Sequence, residues 1–447
     1  MNLRPQEALA IVGDDDSAEG VYIASLAETV ELLVTEDYSR FPEYEDRFLK
    51  RLDRRIRASP RAYQFLQAEF RLQLAFVYLK FGHELDAALQ LREAYQIAAS
   101  CKEKFPEYLP ILKTTGMLEI IVGSVPEKYS WVLNLLNMSG SVPSGLADLG
   151  RVASSGSVLA IEARLLRALV QGFVLSDAGP ALAAMMEVHG QEKSNPLILF
   201  LSASLAIKDS QSELALGLLS TLSDSAAGIP LYYAWYLQGE AYLHKGDYLK
   251  SIRSYRWFID HQPGQNYIKD AWYKIGLCYW LNGNENDALE VFREARNKGK
   301  EATEADKSAA RSLAEKNPPN IALSRIRFYT DGGYYEEAGA LLSTLTENDF
   351  ATGKDKVEYY YRRARLAHKL GKPEATGLYD KTIAMTGLEN WYFAPNACLQ
   401  LGYIYQSRNE PQRAAEYFER ALTYKRHEYK NSIDSKARSA LAQLGRI

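Results

Sequence analysis

The feature that most constrains this chain is a pattern that recurs after 37 residues. One copy reads Trp235-x3-Gly239-x2-Tyr242-x3-Gly246, then Ser251-x3-Tyr255-x2-Phe258. The next reads Trp272-x3-Gly276-x2-Tyr279-x3-Gly283, then Ala288-x3-Phe292-x2-Ala295, with the same internal spacings. Each spacing has a helical meaning. Trp, Gly and Tyr at i, i+4 and i+7 share one face of a helix. Gly239 and Gly276 carry no Cβ, so a second helix can approach closely there. Gly246 and Gly283 fall where the first helix must end and the chain must turn. Ser251 or Ala288 gives a second point of close approach, and Tyr255 or Phe292 fills the space beside it. Such a unit cannot bury its apolar face alone, so copies must stack.

Further units fit with less regularity. Leu401-Gly402-x2-Tyr405-x8-Ala414-x3-Phe418-x2-Ala421 matches well, and Leu74-Ala75-x2-Tyr78-x3-Gly82-x4-Ala87-x3-Leu91-x2-Ala94 fairly. Tyr329-x3-Gly333-x-Tyr335-x2-Ala338-x3-Leu342 is partial, and Tyr360-x3-Ala364-x6-Gly371-x3-Ala375-x3-Tyr379 is one residue short in its second helix. At these positions the sequence resembles the tetratricopeptide-repeat (TPR) family, a helix–turn–helix repeat of about 34 residues. The resemblance implies an all-α fold, a right-handed superhelix of antiparallel helix pairs forming an α-α solenoid.

The chain divides accordingly into four stretches. Residues 1–105 are N-terminal helices with a degenerate TPR-like unit, and 106–154 an irregular helical insert with Pro and Gly turns. Residues 155–230 hold degenerate TPR-like helices. Residues 231–447 form a TPR array with units near 232–265, 269–300, 319–347, 357–386 and 395–426 and a C-terminal capping helix. The insert contains Pro126-x2-Tyr129-x-Trp131, then Leu135-Leu136-x-Met138-x-Gly140-Ser141 and Gly145-Leu146-x2-Leu149. With the flanking repeats, that run resembles the TPR-like family that includes the eukaryotic inclusion-body-clearance proteins and uncharacterised bacterial relatives. It adds an expectation of fold and little of function.

Composition narrows the function classes. At 447 residues the chain exceeds the size at which one compact core stops growing, which suits an array extending in one dimension. A net charge of −3 offers no basic footprint, so nucleic acid is not an expected partner. The 30 tyrosines suit half-buried positions between helices and on recognition surfaces. Cys101, Cys278 and Cys398 are distant from one another in sequence and form no CxxC, so they read as buried structural thiols. The longest apolar run, Pro196 to Ile207, is too short to span a bilayer, and Met1-Asn2-Leu3-Arg4 opens no export signal. The visible sequence therefore suggests the cytoplasm, or the periplasm if a signal has been removed.

Motifs of catalysis are missing. His83, His189, His244, His261, His368 and His427 form no HxH, HxxxH or HExxH, and no Walker A, GxGxxG or GxSxG motif occurs. His83 and His244 sit beside inter-helix turns, where a solvated or capping role is expected. Asp14-Asp15-Asp16 lacks the ligand alternation of a calcium loop and reads as a helix N-terminus. Lys50-Arg51-x2-Arg54-Arg55-x-Arg57 reads as the solvated face of a helix whose apolar stripe is Phe48, Leu52 and Ile56. No enzyme activity, cofactor or metal is expected, although an active site dispersed over distant repeats is a third possibility.

Stacked helix pairs curve, and the concave surface is the usual binding face. Counting from the signature residues, first-helix positions that avoid the packing set are Tyr236, Glu240 and His244, then Tyr273, Lys274 and Trp280. Later units add Arg327, then Tyr361, Arg362 and Arg365, then Gln400 and Tyr403. Rings supply contact area and Arg forks bind carboxylates, so a protein or peptide partner is expected there. The family's full carboxylate-clamp set is not present. The expected role is a non-enzymatic scaffold or adaptor, with self-association into a homo-oligomer also open. The alternative is a small-molecule or glycan-binding helical-repeat protein of the bacterial cell envelope, motivated by the aromatic excess.

Overall fold

A computed structural model describes residues 2–125, 133, 136–223 and 228–446. These form 23 α-helices and no strand among the described residues. Pro126, Tyr129, Trp131 and Leu135 of the insert motif lie outside the described residues.

The N-terminal helices are α1 (Pro5–Val12), α2 (Ala18–Thr35), α3 (Phe41–Asp53), α4 (Pro60–Phe81), α5 (Glu84–Lys104), α6 (Leu109–Gly123), α7 (Val142–Ala153) and α8 (Ala160–Leu169). Side-chain capping of free backbone N–H groups fixes the starts of α2 and α4. Ser17 Oγ accepts from Gly20 N and Ser59 Oγ from Ala62 N. Asp15 sits outside α2 and accepts from the Ser17 backbone, at the helix start expected for the acidic triplet. The basic run differs from expectation. Helix α3 stops at Asp53, and Arg57 joins an isolated bridge with Ser17, so Ile56 is buried from a loop rather than from a helical stripe. Arg51 turns inward onto Glu28 at 2.5 Å, its side chain 11% exposed.

A buried polar cluster ties α2, α4, α6 and α8. Lys113 Nζ donates to Tyr22 Oη at 2.8 Å, Glu69 Oε1 at 2.8 Å and Glu162 Oε1 at 2.7 Å. Tyr22 donates onward to Glu162 at 2.6 Å, and Thr114 to Glu69 at 2.6 Å. Burial opposes the Lys113 charge, but Glu162 and Glu69 outweigh it and hold the ammonium above its ordinary value.

The middle array comprises α9 (Ala178–Gln191), α10 (Pro196–Lys208), α11 (Ser212–Ser223), α12 (Tyr232–Lys245), α13 (Tyr248–His261), α14 (Ile268–Leu281) and α15 (Glu285–Ala295). A Cβ on Gly239 would lie 2.7 Å from the Tyr255 ring, and one on Gly276 would lie 2.6 Å from Phe292. The signature glycines thus seat the signature rings. Gly246 ends α12 at φ +79°, where a residue with a Cβ would be strained. The N-terminal helices clasp this array: Ile229 N donates to Leu3 O at 2.7 Å, and Asn266 Nδ2 to Glu36 Oε2 at 2.8 Å.

Helix α16 (Glu304–Ala314) then departs from a simple pair, and α17 (Ile321–Gly332) with α18 (Tyr335–Ser343) starts the C-terminal array. Next come α19 (Gly353–Lys369), α20 (Ala375–Thr386), α21 (Phe393–Ser407), α22 (Pro411–Thr423) and α23 (Lys430–Gln443). Helix α17 packs across the end of α12: Phe328 lies 6.2 Å from the His244 ring, and Tyr329 fills the space against Gly246. Its C-terminal Gly333 abuts the Ser210 carbonyl in the α10–α11 turn. The C-terminal array therefore faces back toward the ends of α10 and α12.

Candidate functional site

Three of the expected groove residues meet, but they consume one another. Lys274 Nζ lies 2.5 Å from Glu240 Oε1, 2.9 Å from Asp270 Oδ2 and 2.9 Å from Tyr236 Oη. An ammonium has three N–H groups, and all three are used. Tyr236 donates to Asp270 at 2.5 Å, and Tyr255 donates to Glu240. Burial lowers the Lys274 pKa, but Asp270 and Glu240 overcome it and the group stays above its ordinary value. Burial pushes Asp270 up. This knot joins α12, α13 and α14.

His244 is not solvated as its place beside a turn suggested. Docking of α17 buries it to 8% exposure, and its Nδ1 pairs with Ser212 Oγ at 3.0 Å. Burial pulls its pKa down. Trp280 is anchored too, its Nε1 donating to Pro319 O at 2.8 Å.

Of the remaining residues, Arg327, Tyr361, Arg362, Arg365, Gln400 and Tyr403 belong to the C-terminal array and Tyr273 to α14 of the middle array. Tyr361 is buried and donates to Asn396 at 2.9 Å. Arg362 is also buried; it pairs with Glu358 at 2.5 Å and donates to Tyr392 Oη at 3.0 Å. Arg365 Nη1 donates to Gln400 Oε1 at 2.8 Å, and its fork also meets the Tyr379 hydroxyl. Tyr403 packs edge-on against Phe418, and burial raises its pKa to about 12. Tyr273 stacks against Phe292 with ring centroids 5.7 Å apart. Arg327 faces Asp331 at 3.6 Å, their side chains 43% and 38% exposed. Despite that exposure, burial is the largest influence on both charges, which then yield to their neighbours: Arg327 is held up by Tyr429, Tyr392 and Asp331, and Asp331 is held down by Arg327, Arg365 and His244.

Counting from repeat signatures missed Tyr392, Tyr429 and Asp331. Tyr392 and Tyr429 immediately precede helices, and Tyr429 has φ +59°. Its hydroxyl lies 3.1 Å from Ser308 Oγ, so the start of α23 reaches α16. Tyr392 and Tyr429 meet edge-on at 5.2 Å. Sequence offers only their aromatic character as a signal.

His368 closes the α19 end of this surface, 3.3 Å from Tyr379 Oη. Burial and the charges of Arg365, Lys369 and Arg408 depress its pKa to about 4. An unfolded histidine titrates near 6.5. Its contribution to stability is therefore present above pH 6.5 and lost as pH falls toward 4. Thermal melts from pH 7 to 4 should decline less steeply for His368→Gln than for the parent.

Among the described residues no group of three His, Cys, Asp or Glu is placed to hold a metal ion, and no helix is long and apolar enough to cross a membrane. Residues 236–306 and 397–428 match models described as tetratricopeptide repeat. No curated protein matches the chain. Among solved structures, an IFIT1 monomeric mutant with Gppp-AAAA is similar at 15% identity, covering 93% of this chain and 92% of that one, with a TM-score of 0.36. The human IFIT1 dimer with PPP-AAAA gives 16%, 87% and 95%, with a TM-score of 0.32. A tetratricopeptide-repeat protein from Parabacteroides merdae gives 17%, 62% and 99%, with a TM-score of 0.24. The repeat signature, the glycine-seated helix pairs and the two matched segments make this chain a tetratricopeptide-like helical-repeat protein.

Proposed function

We propose that the chain is a non-enzymatic scaffold or adaptor that binds a protein or peptide on the concave face of its C-terminal array. One observation carries this: Arg327 and Asp331 lie on a protein-walled surface yet keep 43% and 38% of their side chains open to water. Tyr403 on α21 offers apolar area with a polar tip, the combination that anchors peptides. Arg362 and Lys274 are better understood as scaffold, because neighbouring carboxylates already hold them.

Peptide display selection on the full chain tests this. Enriched peptides should bind at least about ten-fold more weakly to Arg327→Glu, in which an exposed cation becomes an anion. Peptides that bind both proteins equally would place the contact surface elsewhere.

A further inference from the structure

The N-terminal helices carry a groove of their own. Helices α4 and α5 form a hairpin about Gly82 and pack against each other. At the end away from that turn, Tyr63, Gln64 and Gln67 of α4 and Gln96, Ile97 and Ser100 of α5 line a groove of about 430 Å³. Each set is spaced i, i+1 and i+4, so each helix contributes one edge over one turn. Small-molecule sites commonly measure about 300–1,000 Å³.

The lining holds no charged group, and most of its polar groups are unspent. Gln67 is the exception: its Nε2 donates to Leu52 O at 3.0 Å, and its Oε1 accepts from Arg71 at 2.7 Å. Arg71 also pairs with Glu93 at 2.7 Å, so a bridge between α4 and α5 stands one turn beyond the groove. Among the described residues, the side chains of Tyr63, Gln64, Gln96 and Ser100 make no hydrogen bond. Tyr63 is 40% exposed and Gln96 is exposed, so the groove opens to water. Gln64 Oε1, by contrast, is buried and accepts from no donor. A buried acceptor without a partner costs free energy that a donor would return. The terminal torsion of the amide is soft, and turning it brings that oxygen to the groove.

We propose that the α4–α5 groove binds a neutral saccharide. A charged ligand would find no countercharge in the lining, and a hydrocarbon would leave the amides unpaired. A sugar hydroxyl both donates and accepts. Each glutamine amide sets a donor beside an acceptor, and the Ser100 hydroxyl offers both in one group. Gln64 and Gln96 bring such amides from opposite edges, where they can meet hydroxyls on two sides of a sugar ring. Tyr63 adds a flat apolar face for the C–H side of that ring while its hydroxyl stays in water. The site belongs to the N-terminal helices and is independent of the partner surface around Arg327.

Ligand-observed NMR titration of the full chain with maltotriose, cellotriose and triacetylchitotriose tests the site, with tetraglycine as the comparison. Saturable binding of at least one trisaccharide is expected, weakened at least about ten-fold in Gln64→Leu and in Gln96→Ala. Gln64→Leu replaces an unpaired buried acceptor with an apolar group of similar size, so it should melt no lower than the parent. Gln96 is exposed, so Gln96→Ala should also keep the parent's melting temperature, and lost binding is thereby separated from lost folding. The proposal is overturned if no trisaccharide binds saturably, or if the parent and both variants bind with equal affinity. Binding of tetraglycine alone also overturns it and assigns the groove to a peptide backbone.

Discussion

Replacing Lys113 with methionine is expected to destabilise the N-terminal helices by about 3–5 kcal/mol, the usual cost of removing one partner from a buried ion pair. The side chain of Lys113 is 2% exposed and that of Glu69 4%. The ammonium is the common donor for Glu69, Glu162 and Tyr22, so its loss leaves two carboxylates facing each other in a region that water scarcely enters. Methionine keeps the volume of the stem, which isolates the charge effect from cavity formation. Adding Glu69→Gln and Glu162→Gln should restore part of the loss. Chemical denaturation, followed by a probe within residues 2–125, measures it. A loss below about 1 kcal/mol would mean that water or rearrangement satisfies the carboxylates.

The second large effect is expected at Lys274. Lys274→Met leaves Glu240 and Asp270 without the cation they share, in a site where Asp270 is already pushed up by burial. The expected cost is again about 3–5 kcal/mol at neutral pH. It carries a pH signature. In the parent, the Lys274 pKa lies above its ordinary value, so its contribution is complete below that value and disappears only in strong alkali. In the variant the carboxylates escape repulsion by taking up protons, so its stability should recover as pH falls toward 5. Melting temperatures of the two proteins at pH 5 and 7 check this. A gap that does not narrow at pH 5 would show that packing rather than charge holds the knot.

These two sites mark where sequence reasoning succeeds and stops. The helix pairs were legible because their determinants are local. Gly239 and Tyr255 stand 16 residues apart in one hairpin of helices, and their contact follows from helical spacing and a turn. Which residues share one face of a helix was also legible, since that face is fixed by the helical period. What each side chain does there was not. Lys274 and Arg362 read as free cations in the sequence, yet acids at Glu240, Asp270 and Glu358 hold them. His244 read as a turn residue, and it is buried only because α17 folds back over α12. Ser308 and Tyr429 meet from helices far apart in sequence, and no repeat period relates them. Tertiary arrangement decides such pairings, and a single sequence records it weakly.

The most direct test of the concave-face assignment is affinity capture with the full chain as bait, in cell lysate and in an envelope extract, with partners identified by mass spectrometry. The matched control is an Arg327→Glu/Tyr403→Ala bait shown to melt as the parent does. A specific protein retained by the parent and lost from the control is the predicted result, and the extract that supplies it gives the compartment. The same proteins held equally by both baits would contradict the assignment.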